Sequence, residues 1–169
     1  MNFLKDIVDQ SRNTKYSDAC NAILSSVDPF GRSIKEGHIT ASGLVIKDGK
    51  ALLIFHPYIG RWFQPGGHVD NLEPPHEAAI REVYEETGLI CQIASKDLCP
   101  IDIDIHEIPA NPKKGEGPHI HIDLLYQLTV LKQEKPIEDI RSAWFAFEDI
   151  ESERIKRALA KLALSPQSL

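Results

Sequence analysis

The stretch between Pro74 and Gly88 constrains the fold most, because it predicts a helix with a defined start and end. Pro74 and Pro75 lie where proline is tolerated, in the first helical turn, and Gly88 lies where a C′ glycine ends a helix. Between these ends, apolar side chains recur at helical spacing and form a stripe that should face a core. The stripe consists of Ala79, Ile80, Val83, Tyr84 and Thr87.

The same helix concentrates negative charge. Glu82, Glu85 and Glu86 share an arc of about 100° on a helical wheel, which places them away from the apolar stripe. Like-charge pairs at this spacing destabilise an isolated helix by roughly a few tenths of a kcal/mol each. Arg81, at i,i+4 to Glu85, would offset part of this repulsion. A solvated acidic face would explain the run, and a cation site is the alternative.

Strand and turn signals surround this helix. Asp48-Gly49 separates two apolar runs and predicts a tight hairpin. Residues 1–27 predict helical structure, and residues 148–164 predict a closing helix. The predicted strands are residues 39–46, 51–55, 62–63, 89–93, 101–105, 119–131 and 143–147. Strands around a central helix, with another helix at the end, predict an α/β (α+β) fold with a mixed sheet covered on both faces.

Composition narrows the class of protein. The chain has 169 residues and a net charge of −6, which argues against a nucleic-acid binder. No apolar run approaches the roughly 20 residues that a membrane span needs, and the N-terminus lacks a secretory apolar segment. Three cysteines follow no disulfide or metal spacing, as expected of reduced thiols. We therefore expect a cytoplasmic protein.

The spacing around the acidic helix is specific. Gly67 is followed after five residues by Glu73 and after seven more by Arg81-Glu82-Val83. Glu85-Glu86, Gly88 and Leu89 then complete the pattern G-x5-E-x7-R-E-U-x-E-E-x-G-U, where U is apolar. This stretch resembles the Nudix box. The resemblance implies an α/β/α sandwich in which the box loop and helix form the catalytic element, with residues 38–169 as the hydrolase domain and residues 1–37 as a helical extension.

The resemblance also implies a metal site. Mg²⁺ or Mn²⁺ prefers oxygen ligands, and the implied ligands are Glu82, Glu85, Glu86 and the backbone carbonyl of Gly66. In proteins of this family the box arginine, here Arg81, orients the glutamates.

Two further acids have roles by the same resemblance. Glu73 would support the geometry of the loop and helix. Family members often add an acid ahead of a late tryptophan strand, as a metal ligand or general base. Glu138, six residues before Trp144, fits that place, with Asp139 as its rival.

Candidate substrate contacts lie around the box. Trp62 and Phe63 could stack on a base or belong to the core, and Arg61 could bind a phosphate or lie at the surface. His119 and His121 alternate on one strand face, where with Asp123 they would face substrate or solvent. Without an HExxH or Cys/His spacing, this pair gives weak support for zinc. We place the specificity determinants in residues 106–121, where Lys113 and Lys114 could meet phosphates.

The predicted function is metal-dependent hydrolysis of a pyrophosphate linkage in a nucleoside diphosphate joined to another group. The expected partner is a small nucleotide-type substrate, with no nucleic acid or membrane, and a homodimer is common among similar proteins. Two alternatives stay open. One is an inactive nucleotide sensor, although such proteins usually have a damaged box and a DNA-binding domain. The other is an isopentenyl-diphosphate isomerase, although Cys91 and Cys99 do not match the required placement.

Overall fold

The computed structural model describes residues 3–57, 59–112 and 115–164. The helices in these ranges are Phe3–Ser11 (α1), Ser17–Leu24 (α2), Pro75–Thr87 (α3) and Glu153–Ala163 (α4), with a short 3-10 helix at Phe147–Asp149. The strands are Gly37–Lys47 (β1), Lys50–His56 (β2), Arg61–Phe63 (β3), Gly66–His68 (β4), Leu89–Ile93 (β5), Asp102–Ile108 (β6), His119–Gln133 (β7) and Ser142–Ala146 (β8).

The strands form one mixed sheet with the central order β3-β2-β1-β7-β5. The two longest strands, β1 and β7, run parallel, and the remaining pairs are antiparallel. The start of β1 also pairs with β4, the start of β7 pairs with β6, and β8 pairs with β2. The predicted mixed sheet is therefore confirmed.

The hairpin between β1 and β2 forms as its sequence predicts. Asp48 and Gly49 both have positive φ, 50° and 71°, which matches a two-residue type I′ turn. Ile46 consequently lies opposite Ala51, and the two apolar runs enter the sheet side by side.

Helices cover the sheet on both faces. Because side chains alternate along a strand, Ile39 and Ala41 of β1 pack towards α3, while Leu44 packs in a second apolar cluster with Ile155 of α4. This arrangement is an α/β/α sandwich, so the predicted fold class is confirmed. The closing helix is shorter than predicted, because the 3-10 helix precedes Ser152, whose side chain caps α4.

The N-terminal segment folds as two helices. Asn13, with φ of 62°, lies in the turn between α1 and α2. Ile7, Cys20 and Ile23 are fully buried in the same apolar cluster as the α3 side of the sheet. The segment is thus docked on the main core, whereas the domain boundary near residue 37 stays a prediction. None of the helices in the described ranges has the length and apolar character needed to cross a membrane.

Candidate active site

Both ends of α3 are set by the residues that the sequence indicated. The helix begins at Pro75 and ends at Gly88, which adopts φ of 73° and donates its N–H to the Tyr84 carbonyl at 2.8 Å. A Cβ at Gly88 would lie 2.2 Å from the carbonyl oxygen of Glu134. Glycine is therefore required here both for its backbone conformation and for the close approach of the segment after β7.

That segment brings Glu138 to the acidic helix. The backbone N–H groups of Ile137 and Glu138 donate to the carbonyl of Glu85 at 3.0 and 2.8 Å, which satisfies a free carbonyl near the helix end. Glu138 is exposed, and its charge acts on both Glu82 and Glu86. The structure thus places this predicted acid beside the glutamates, although about 50 residues separate it from them in sequence.

Arg81 holds the loop and the helix together. Its guanidinium donates two hydrogen bonds of 2.9 Å to Glu73, one of 2.9 Å to Glu82 and one of 3.1 Å to Glu85. It also donates to the backbone carbonyl of His68 at 2.9 Å. Burial alone would raise the pKa of Glu73, but hydrogen bonds from Arg81 and a backbone N–H outweigh it and lower that pKa. Arg81 therefore fixes three carboxylates relative to one another.

Glu86 corrects the expectation of a separate acidic face. It is only 7% exposed, and Ala78, two turns earlier, is also buried, whereas Ile80 and Tyr84 are half-buried. The buried face of α3 is thus rotated towards the acids, because the helix packs over β4, whose glycines leave room for a carboxylate. The N–H of Gly66 donates to Glu86 at 3.0 Å.

Burial makes this carboxylate unusually basic. Loss of solvent raises the pKa of Glu86 to about 8 despite the Gly66 hydrogen bond, and repulsion from Glu82, Glu138 and Glu85 adds to the rise. Burial likewise raises the pKa of Glu82, against the lowering effect of Arg81. The charged forms of Glu82 and Glu86 are therefore not fully compensated by positive charge within the protein.

The two glycines of β4 create the space for these acids. A Cβ on Gly67 would lie 2.6 Å from a carboxylate oxygen of Glu82, and a Cβ on Gly66 would lie 2.6 Å from the Cα of Ser42. Larger residues would therefore displace either the Glu82 carboxylate or the strand pairing with β1.

This donor set fits a hard divalent cation. Glu82, Glu85 and Glu86 offer carboxylate oxygens, which Mg²⁺ and Mn²⁺ prefer. Arg81 already pairs with Glu73 as well as with Glu82 and Glu85, so the negative charge exceeds the positive charge locally. A divalent cation would stabilise the charged form of Glu86, whose pKa is raised first by burial and then by repulsion from neighbouring acids.

The predicted aromatic contacts lie in a separate cluster on β2, β3 and β8. Trp62 packs edge-to-face against Phe55 and Phe145, with ring centroids 5.4 and 4.9 Å apart, and the Arg141 guanidinium lies 5.3 Å from its ring. Trp62 thus contributes to the second core, which is the structural alternative left open by the sequence.

The neighbours of Trp62 in β3 also have defined places. Arg61 is exposed and lies opposite His56 in the β2–β3 pairing. Phe63 is half-buried and lies 6.2 Å from the His56 ring. Substrate contacts by Arg61, Trp62 and Phe63 stay predictions.

Histidines gather on the face of the sheet opposite α3. His121 of β7 lies beside His38 of β1, with ring centroids 4.6 Å apart, and His119 lies 5.1 Å from His121. His68 of β4 lies 5.0 Å from His38. Burial, followed by neighbouring histidines, lowers the pKa of His38 to about 4 and that of His121 to about 2, so both rings are neutral near pH 7.

The prediction that Asp123 lies on the open side of the sheet is wrong. Asp123 is buried, accepts a hydrogen bond of 2.8 Å from Thr40, and pairs with Arg154 of α4. The reason is that α4 crosses this face of the sheet beyond His121. Lys113 and Lys114 lie outside the described residues.

His38 and His68 were not predicted from the sequence as members of this group. His68 is inside the box spacing, and His38 precedes the first apolar run of β1. The available signal was the alternation of His38, Thr40 and Ser42, which marks a polar face on a central strand.

Comparison with known proteins agrees with this geometry. A family model described as the NUDIX domain matches residues 37–164. The chain is 33% identical over 138 residues to a probable DHNTP pyrophosphohydrolase of Lactococcus lactis subsp. cremoris (strain MG1363), covering 81% of each chain. It is 32% identical over 111 residues to an ADP-ribose pyrophosphatase of Methanocaldococcus jannaschii, covering 63% of this chain and 60% of the relative.

Solved structures show the same relationship. A NUDIX family hydrolase from Clostridium perfringens superposes with a TM-score of 0.57 at 25% identity, covering 75% of this chain and 97% of the other. The chain therefore belongs to the NUDIX family. Its predicted enzyme class, a Nudix-type pyrophosphohydrolase, is confirmed by these relatives.

Proposed function

We propose that the protein hydrolyses a pyrophosphate linkage in a small nucleotide-type substrate, with Mg²⁺ or Mn²⁺ held by the glutamates of α3. The observation that carries this proposal is the buried carboxylate of Glu86, which lies against β4 beside Glu82 and has a pKa of about 8. Because burial raises the pKa of both acids, their charged forms oppose folding, and this arrangement favours a role in binding a cation.

The ligands proposed for the cation are the carboxylates of Glu82, Glu85 and Glu86 and the carbonyl of Gly66. When bound, the cation would neutralise the diphosphate, orient the leaving group and lower the pKa of a water molecule. The proposal is supported by the Gly66 N–H, which donates to Glu86 at 3.0 Å and holds this carboxylate against the β4 backbone.

The remaining acids and Arg81 have distinct proposed roles. Arg81 and Glu73 act as positioning residues, because the bidentate pair between them fixes the loop against the helix. Glu138 is exposed at the end of α3 and is the proposed acceptor of the proton from the attacking water. Its backbone hydrogen bond to Glu85 keeps it near the metal ligands.

The substrate is proposed from the names of the relatives. One is named for DHNTP and another for ADP-ribose, and both names describe cleavage of a pyrophosphate linkage. A hydrolysis assay with Mg²⁺ should therefore test a panel of substrates that includes these two compounds, nucleotide sugars, dinucleoside polyphosphates, NADH and oxidised nucleotides. Running it in ¹⁸O-labelled water identifies both the compound cleaved and the phosphorus attacked. Ligand that binds but stays intact would favour the sensor alternative.

Substitutions on α3 test the assignment of the site. Glu85→Gln and Glu86→Gln should each lower kcat at least ~10²-fold while the fold is retained, because each removes charge that acts on the transition state through the cation. Glu77→Gln is the matched control, since Glu77 is an exposed glutamate of the same helix. Near-normal turnover in both test variants would place the metal elsewhere.

A further inference from the structure

Three histidines converge on the sheet face opposite the box helix. His38, His119 and His121 each offer a ring nitrogen, and the three nitrogens lie within 4.8 Å of one another. His38 and His121 are neighbours on the parallel strands β1 and β7, and His119 is two residues before His121 on the same face. The trio is therefore held by the two central strands of the sheet and not by loops.

The hydrogen bonds of His119 direct a lone pair into the group. Its Nδ1 lies 2.9 Å from the Gly117 carbonyl oxygen, and a carbonyl can only accept, so Nδ1 carries the proton. In the neutral ring, Nε2 is then a bare acceptor. A ring N–H donated to a backbone carbonyl is also the usual arrangement of a histidine that ligates a metal through its other nitrogen.

One spacing within the group matches a metal site. His119 Nε2 and His121 Nε2 are 3.2 Å apart. Two nitrogens bound tetrahedrally to one zinc at about 2.0–2.1 Å lie about 3.3 Å from each other. A hydrogen bond between the two rings would give a similar distance, but it would leave His38 unexplained.

His38 supplies an independent observation. The residue is 4% exposed, and its Nε2 has no hydrogen-bond partner among the described residues. Leaving a buried polar nitrogen unsatisfied costs about 1–3 kcal/mol. Coordination of a cation would satisfy it. His119 also lines an open cleft of about 440 Å³, so this member of the group is accessible from solvent.

We propose that His38, His119 and His121 form a binding site for a borderline-soft divalent transition-metal ion, Zn²⁺ foremost, distinct from the carboxylate site of α3. Three imidazoles leave one tetrahedral position open for water or a substrate oxygen, as in catalytic zinc sites. Imidazole ligands select such ions over Mg²⁺, which prefers oxygen. The protein would then hold two chemically different cation sites on opposite faces of one sheet.

The test measures metal binding and not turnover. The full chain is freed of metal with a chelator, loaded with Zn²⁺ in the presence of excess Mg²⁺, dialysed, and analysed for zinc by mass spectrometry. Because even outer-shell partners contribute about 10- to 100-fold to metal affinity, His119→Asn and His121→Asn should each lower zinc affinity at least ~100-fold. His76→Asn is the matched control, since His76 lies on α3.

Two further measurements keep the outcome decisive. Glu86→Gln should retain zinc, which separates this site from the carboxylate site and from the proposed hydrolysis. Co²⁺ in the wild-type chain should show the visible absorption of a tetrahedral nitrogen site, and His119→Asn, which changes a half-exposed side chain, should lose it with an unchanged circular dichroism spectrum. Zinc affinity that is unchanged in both histidine variants, or that is lost in Glu86→Gln, would overturn the proposal.

Discussion

Replacing Glu86 with glutamine should stabilise the metal-free protein, and the gain should grow as pH rises. The unfolded carboxyl ionises near its ordinary pKa of 4.5, whereas the folded one keeps its proton up to about pH 8. In that window the native state binds more protons than the unfolded state, so wild-type stability falls as pH rises. Glutamine carries no charge and lacks this slope, while its side-chain oxygen can still accept from Gly66.

The structure sets the size of the effect. Each pKa unit corresponds to about 1.4 kcal/mol, so a rise from 4.5 to about 8 gives an upper limit of about 5 kcal/mol for the advantage of the variant above pH 8. Below about pH 4.5 the difference between the two proteins should no longer change with pH, because Glu86 is protonated in both states.

Denaturant unfolding in the presence of EDTA measures this difference directly. Wild type, Glu86→Gln and the exposed control Glu77→Gln are compared from roughly pH 5 to roughly pH 9. Excess Mg²⁺ should then stabilise the wild type above pH 8 and stabilise Glu86→Gln far less, since a ligand stabilises only the state that binds it. A difference between wild type and Glu86→Gln that stays flat across this range would refute the reasoning.

Three further substitutions test the supporting geometry. Arg81→Lys should lower the free energy of unfolding by about 2–3 kcal/mol in urea, because lysine lacks the fork that bonds three carboxylates; unchanged stability would contradict this. Gly67→Ala should lower kcat by about 10²-fold with little loss of stability, since its Cβ would displace the Glu82 carboxylate; normal turnover would count against it. Gly88→Ala should lower the free energy of unfolding by about 2 kcal/mol more than Gly49→Ala does. Both glycines have positive φ, but the added Cβ at Gly49 meets no described atom within 4 Å. Equal losses of stability would exclude the steric argument.

Local signals explain which parts of the fold were predictable. The hairpin at Asp48-Gly49 and the ends of α3 at Pro75 and Gly88 depend on backbone preferences of a few adjacent residues, and all form as predicted. The strand β4 was not predicted, because its glycines carry no apolar pattern and it is defined by its pairing with β1. A strand of this kind exists only through a long-range contact.

The candidate site likewise combines features that local sequence predicts with features that depend on long-range contacts. The spacing of the box indicated Glu82, Glu85 and Glu86, but a helical wheel alone could not show that Glu86 is buried, since that depends on how α3 lies across β4. The histidine group depends on the parallel pairing of β1 with β7, which brings together His38 and His121 from distant parts of the chain. The alternation within β7 indicated only His119 and His121.

The most direct test of the central claim is the position of bound metal in a crystal soaked with Mn²⁺ and a non-hydrolysable diphosphate substrate analogue. Anomalous scattering locates the Mn²⁺ ions without reference to the protein model. We expect at least one ion coordinated by Glu82, Glu85 and Glu86 and in contact with the diphosphate. A map with the analogue bound, the three side chains pointing into solvent and no ion beside them would contradict it.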